Sequence, residues 1–121
     1  MTAKIVIAPD TWAARTPQSN VTGIIYLEVD GRSFPDSQWS DFPIIVLGWW
    51  LKGLADLAQG LSSSCEGLFM DGPFSFQIEQ LSPSTVKLVQ QTSEENDSAV
   101  IDFHSFYASV LAAGLCCINR P

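Results

Sequence analysis

The chain has 121 residues and a net charge of −7, from 13 acidic and 6 basic residues, and 46% of its residues are hydrophobic. This composition argues against a disordered chain, and it predicts one globular domain over residues 1–121 that needs neither metal nor disulfides to fold. The acidity argues against nucleic acid or an anionic membrane as a direct ligand, because both require clustered Lys and Arg. It favours a basic partner, although acidity also serves solubility alone.

The cysteines and the N-terminus predict a cytoplasmic protein. The chain has three cysteines, Cys65, Cys116 and Cys117. An odd number with two adjacent residues does not suit a secreted disulfide framework. The first residues lack the pattern of a signal peptide. The longest apolar run, residues 42–51, is about half the length that spans a bilayer.

Two strands are predicted in the first thirty residues. The first is short and covers residues 5–8, and the second covers residues 21–30, where apolar and acidic residues alternate. The polar residues 11–20 between them are expected to form a loop. Asp30-Gly31 offers a tight turn at the end of the second strand.

The main helix is predicted to begin near Pro43, with Ser40 or Asp41 as its cap, and to stop at Gly60. At 100° per residue, one broad apolar face emerges that we expect to pack on the core. That face holds Ile44, Leu47, Trp50, Leu51, Leu54 and Ala58.

The second half of the chain predicts three antiparallel strands, over residues 66–70, 74–79 and 85–91. An exposed acidic loop over 93–98 follows, and Asp102 is expected to cap a final helix to about residue 119. The apolar stripe of that helix holds Phe103, Phe106, Tyr107, Val110, Leu111, Gly114, Cys117 and Ile118, with Ser105, Ser109, Cys116 and Arg120 opposite. The order β-β-α-β-β-β-α predicts an α+β fold, an antiparallel sheet of about five strands with two main helices on one face.

No motif for catalysis, a cofactor or a metal stands out in the chain, so we predict none of the three. His104, the only histidine, is expected at the edge of the final helix's apolar stripe, where a packing or capping role is the common one. Cys116-Cys117 lacks the spacing of a metal or redox motif. A small enzyme that uses Cys65 or His104 stays as the weakest alternative.

The candidate binding residues are tryptophans and carboxylates. Trp49 falls among the polar residues of the main helix, so it is either an exposed anchor or covered by a loop or the first hairpin. Aromatic anchors with flanking negative charge suit a Lys- and Arg-rich partner. The alternative is that these carboxylates only cap the start of the helix and are otherwise solvated. The predicted partner-binding residues are Asp30, Asp36, Trp39, Asp41 and Trp49, with Glu94, Glu95 and Asp97 as a second patch.

The strings at residues 26–35, 39–42, 46–51 and 69–74 resemble those of small acidic immunity proteins encoded beside polymorphic toxins, as in contact-dependent growth inhibition. The resemblance implies a cytoplasmic, stoichiometric inhibitor that binds the C-terminal domain of a cognate toxin. Many such toxins are nucleases, whose basic surfaces an acidic inhibitor would bind rapidly. No catalytic residue carries over, because immunity proteins have none. A different interaction module, such as a homodimer that buries Trp49, is the main alternative.

Overall fold

The computed structural model describes residues 2–13, 21–92 and 96–118, and the side chains of the last helix up to residue 115. Within these ranges the elements are β1 (Ala3–Ile7), β2 (Gly23–Val29), β3 (Arg32–Phe34), β4 (Ser40–Asp41), α1 (Pro43–Ala58), β5 (Ser64–Leu68), β6 (Ser75–Gln80), β7 (Thr85–Gln91), β8 (Asn96–Asp102) and α2 (Phe103–Ile118), with a short 3₁₀ helix at Pro9–Thr11 after β1. The α+β class and the two helices are confirmed. The strands form two four-stranded antiparallel sheets rather than one sheet of about five strands.

The first sheet is organised around β2. This strand pairs with β1 along its length, with β3 near its C-terminal end and with β4 near its N-terminal end. Its alternate residues are buried, as predicted from the period of two. Asp30 and Gly31 both have positive φ, 52° and 83°, and they form the tight turn into β3. The strands β3 and β4 have three and two residues, too few to produce a periodic signal.

The second sheet is a meander in the order β5-β6-β7-β8. The predicted strand over residues 85–91 is confirmed without change. The predicted acidic loop is wrong from residue 96 onward, because Asn96, Asp97 and Ser98 belong to β8 and pair with β7. Backbone hydrogen bonds to β7 stabilise this edge strand, and its polar side chains remain exposed to solvent.

The helix α1 begins at Pro43, and Gly60, with φ of 76°, ends it as predicted. The Gly60 N–H donates to the Leu57 carbonyl at 3.2 Å and the Leu61 N–H to the Asp56 carbonyl at 3.0 Å, which is a Schellman motif. The predicted cap is wrong. The N-cap position is Phe42, and no side chain caps the helix there.

The buried face of α1 is rotated from the predicted one. The residues it buries are Pro43, Val46, Leu47, Trp50, Leu54 and Leu57. Ile44, expected in the core, is 50% exposed, and Ala58 is exposed as well. The rotation arises because α1 packs against β5 as well as α2, so its centre of burial lies between these two neighbours.

The helix α2 contacts the first sheet through β1 and also packs on α1. The two helices therefore pack against each other, with α1 mainly on β5 of the second sheet and α2 mainly on β1 of the first. Asp102 caps α2, since its carboxylate accepts the Ser105 N–H at 2.8 Å, as expected. Ser109, predicted to face away from the core, accepts the Ile5 N–H at 3.1 Å because β1 lies on that side. Leu111, predicted to be buried, is 43% exposed.

Candidate functional site

An open apolar pocket of about 360 Å³ lies between α1 and the turn at residues 69–74. Its lining consists of Trp49, Leu68, Phe69, Met70, Gly72, Pro73, Phe74 and Ser75. Three large side chains at its mouth are substantially exposed: Trp49 by 47%, Leu68 by 44% and Met70 by 45%. We call these eight residues the Trp49 surface. Exposed apolar groups gathered around a pocket are typical of binding sites.

Aromatic packing supports the floor of the Trp49 surface. The Phe69 ring contacts Trp50 edge to face at a centroid distance of 5.2 Å, and Phe74 contacts Trp39 in the same way at 5.1 Å. The Trp50 indole N–H donates to the Leu68 carbonyl at 3.0 Å, and the Phe69 N–H donates to the Phe74 carbonyl at 3.2 Å. These contacts hold the turn in one geometry and so preform the pocket.

A buried carboxylate fixes the same turn from behind. Asp41 is 1% exposed, and within the described ranges it is the one buried charged side chain. It accepts the N–H of Met70 at 3.1 Å, the N–H of Asp71 at 3.2 Å and the Trp39 indole N–H at 2.9 Å. It also accepts the N–H of Phe42 at 2.7 Å.

Asp41 was predicted to face a partner, and the structure places it where a partner cannot reach. Its oxygens are already occupied by N–H donors from two separate parts of the chain. A carboxylate with this set of donors positions the backbone of the turn and the Trp39 ring. Asp41 therefore belongs to the support of the Trp49 surface and not to its outer face.

Two other predicted residues of the first patch, Trp39 and Asp36, lie in the segment that leads to Asp41. Trp39 is half-buried and packs on the turn, close enough that a Cβ on Gly72 would lie 2.8 Å from its ring. Asp36 is exposed, and its carboxylate accepts the Gln38 N–H at 2.8 Å in the loop that leads to Trp39. Asp71, which was not predicted, is exposed at the tip of the turn. Asp71 thus supplies negative charge at the turn that lines the apolar pocket, and Asp36 lies three residues before Trp39, whose ring packs on that turn.

Leu68 and Met70 are the functional candidates that the sequence reasoning missed. The signal was present, because alternation along residues 66–70 places them on the face opposite Gly67 and Phe69, both of which are buried. An apolar residue that recurs on the outward face of a strand is a sign of an exposed patch.

A second apolar groove, of about 280 Å³, lies on the other flank of α1, between that helix and α2. Its exposed members are Ile44, Leu111 and Leu115, at 50%, 43% and 58%. Gly48 lies in this groove, and the next residue, Trp49, lies in the first pocket. The N-terminal half of α1 is therefore apolar on both flanks.

The structure brings Asp30 and Asp97 together, although they were predicted to belong to separate patches. Both line a cleft of about 200 Å³ between the β2–β3 turn and the strands β7 and β8. Glu94 and Glu95, the other members of the second patch, lie outside the described residues.

The side chains considered for catalysis show no matching geometry. His104 is exposed, with its ring against Phe103 at a centroid distance of 5.7 Å. Burial, together with the negative charge of Asp56, raises the pKa of the Cys65 thiol to about 11. A thiol with this pKa is almost wholly protonated near neutral pH and is a weak nucleophile. The side chains of Cys116 and Cys117 lie outside the described part of the chain.

No group of three or more His, Cys, Asp or Glu side chains in the described ranges is arranged to hold a metal ion. None of the described helices is long and apolar enough to cross a membrane.

The chain was also compared with known proteins. No family model, no curated protein and no solved structure matches it. The Trp49 surface is therefore interpreted from its own contacts and charges.

Proposed function

We propose that this protein is an immunity protein that binds a basic toxin domain through the Trp49 surface and inhibits it stoichiometrically. The observation that carries the proposal is the 47% exposure of Trp49 at the mouth of an apolar pocket, beside Leu68 and Met70. Tryptophans that can be fully desolvated by a partner are among the strongest contributors to protein–protein affinity. An exposed apolar surface of this kind suits the binding of a protein.

The support beneath the Trp49 surface favours tight binding. Four N–H groups donate to the Asp41 carboxylate, and the Trp39 and Phe74 rings pack edge to face. These contacts hold the turn before a partner arrives. A preformed surface loses little conformational entropy on binding, so more of the contact energy appears as affinity.

The charge beside the pocket favours a basic partner. Asp71 is exposed in the turn, Asp36 is exposed in the loop that leads to Trp39, and the whole chain has a net charge of −7. Nucleases that hold phosphates carry positive surfaces, and an acidic inhibitor approaches such a surface faster than a neutral one. A basic toxin, such as a nuclease, therefore fits this protein better than an acidic toxin.

The proposal is tested by co-expressing the chain with the basic C-terminal domain of a large secreted protein encoded beside its gene. We expect a one-to-one complex and protection of cells that express that domain. We expect Trp49→Ala to weaken the complex about 30-fold, because an anchor residue is lost. Calorimetry measures the affinity.

Leu81→Ala is the matched control, since Leu81 is 52% exposed in the turn between β6 and β7, away from the pocket. It should leave the affinity within about twofold. Absence of any complex, or equal losses for the two variants, would remove the basis of the proposal.

Charge reversal examines the electrostatic part separately. We expect Asp36→Lys combined with Asp71→Lys to slow association and to flatten its dependence on salt, because both exposed carboxylates contribute to steering. The dissociation rate should change less. An unchanged association rate would show that these two carboxylates do not face the partner.

A second candidate function is self-association, which the groove between α1 and α2 favours. Ile44, Leu111 and Leu115 expose apolar side chains there, on the flank of α1 opposite the Trp49 surface. Sedimentation equilibrium distinguishes the two candidates. A stable dimer that Leu115→Gln dissociates, while Leu81→Gln does not, would favour an oligomeric interaction module.

A further inference from the structure

A cleft between the two sheets lies apart from the Trp49 surface. Its volume is about 200 Å³, and its lining consists of Val29, Asp30, Arg32, Leu88, Gln90, Asp97, Ser98 and Ala99. One wall is the turn between β2 and β3, and the other is formed by β7 and β8. The floor is apolar, since Val29 and Leu88 are buried and Ala99 is half-buried.

The strand register explains how an acidic side chain reaches this cleft. Leu88 pairs with Ala99, and two residues further along each strand Gln90 pairs with Asp97. Residues two apart on a strand share a face, so Asp97 and Gln90 lie on the inner side of the second sheet, which the turn at Asp30 approaches. The cleft thus has a carboxylate on each wall.

The charged side chains of the cleft are accessible to solvent. Asp30, Arg32 and Asp97 are all exposed at its mouth. Between described residues, no hydrogen bond or ion pair engages any of these three side chains. The two carboxylates outnumber the one guanidinium, so the cleft complements a cation.

We propose that this cleft binds one arginine side chain of the basic partner. The inference rests on the proposed function, because it supplies a second contact for the same basic protein. A guanidinium has N–H donors along several edges, so it can donate to carboxylates on two facing walls at once. The aliphatic stem of the arginine lies on the floor formed by Val29, Leu88 and Ala99.

Arg32 limits the affinity of the cleft for a cation. Its positive charge lines the same cleft, so it repels an incoming guanidinium while the two carboxylates attract it. The charges therefore predict whether each substitution weakens or strengthens the binding of a cation. Loss of either carboxylate weakens binding, and loss of Arg32 strengthens it.

The direct test titrates the full chain with Nα-acetyl-arginine methylamide and follows backbone amide shifts by NMR. The neutral isostere Nα-acetyl-citrulline methylamide is the matched probe. We expect saturable shifts at residues 29–32 and 97–99 with the arginine compound only, and weaker binding at high salt. Shifts of equal size with the citrulline compound, or none in these segments, would overturn the proposal.

Three conservative variants test the sign. Asp30→Asn and Asp97→Asn together should weaken binding of the arginine probe about fivefold, and Arg32→Gln should strengthen it about twofold. Asn tolerates the positive φ of residue 30, so the turn is retained. Glu66→Gln, an exposed carboxyl group outside the cleft, is the control and should have no effect. Stronger binding after loss of the carboxylates would contradict the assignment.

The probe titration needs no partner, so the two proposals can fail separately. With the toxin domain in hand, Asp30→Asn and Asp97→Asn should weaken the complex independently of Trp49→Ala. A complex that depends on Trp49 but ignores the cleft variants would leave the proposed function intact and refute only the arginine site.

Discussion

Two carboxylates at opposite ends of β2 show how the same residue type takes opposite roles. Asp41 pairs with Gly23 at the N-terminal end of the strand, and Asp30 follows its C-terminal residue, Val29, about 20 Å away. Asp41 is buried among N–H donors, whereas Asp30 is exposed in a cleft. The comparison teaches that charge near an aromatic does not mark a binding residue. What decides is whether the donors that surround the carboxylate belong to the same chain.

The largest expected loss of stability follows from substitution of Asp41, at the N-terminal end of β2. Asp41→Ala should lower the free energy of unfolding by about 3 kcal/mol, because it leaves the N–H groups of Met70, Asp71 and the Trp39 indole without their acceptor. Asp41→Asn should cost about 2 kcal/mol, since its amide turns one acceptor into a donor that faces other donors. Urea denaturation followed by tryptophan fluorescence measures both.

Asp36→Asn is the control for this pair, because Asp36 is exposed and accepts a single N–H. It should stay within about 0.5 kcal/mol of the parent. Equal stability of Asp41→Asn and Asp36→Asn would mean that the buried hydrogen bonds do not hold the turn.

Two glycines at opposite ends of β2 extend the comparison. A Cβ at Gly23 would overlap the Trp12 ring, so Gly23→Ala should destabilise the fold by about 2–3 kcal/mol. Gly31 has open space around it but a φ of 83°, so Gly31→Ala should cost only about 1 kcal/mol. Thermal unfolding ranks the two variants. The reverse order would mean that the packing of Trp12 adjusts at little cost.

The exposed end is expected to tolerate loss of its charges. Asp30→Asn and Asp97→Asn should each change the free energy of unfolding by less than about 0.5 kcal/mol, because neither side chain is buried. Asn-Gly is also favoured in the tight turn that residues 30 and 31 form. A large loss in urea denaturation would show that these carboxylates serve the fold.

Asp102 lies between the two cases, exposed but engaged, and gives the smallest effect. Its hydrogen bond from the backbone N–H of Ser105 lowers the pKa of the carboxyl group below its ordinary value. A lowered pKa in the folded state stabilises the protein above the unfolded pKa, and that contribution is lost as the pH falls through the folded value. Asp102→Asn should therefore be slightly less stable than the parent at neutral pH. The difference in urea midpoint should vanish in acid, and a difference that grows in acid would reverse the assignment.

The sequence predicted the features whose causes are local. The turn at Asp30-Gly31, the stop at Gly60 and the cap at Asp102 each depend on one residue and its near neighbours, and all three are present. The strand over residues 85–91 follows from alternation alone. The sequence left two alternatives for Trp49, an exposed anchor or a side chain covered by a loop or hairpin, and the structure shows it exposed.

Tertiary structure decided what depends on partners distant in the chain. The N–H groups that bury Asp41 come from 29 and 30 residues away, and nothing near Asp41 announces them. The short strands β3 and β4 and the edge strand β8 exist because β2 and β7 offer them backbone hydrogen bonds. The rotation of α1 likewise follows from the two neighbours that cover it. Local patterns fix the conformation of a segment, whereas burial and pairing depend on which other segments reach it.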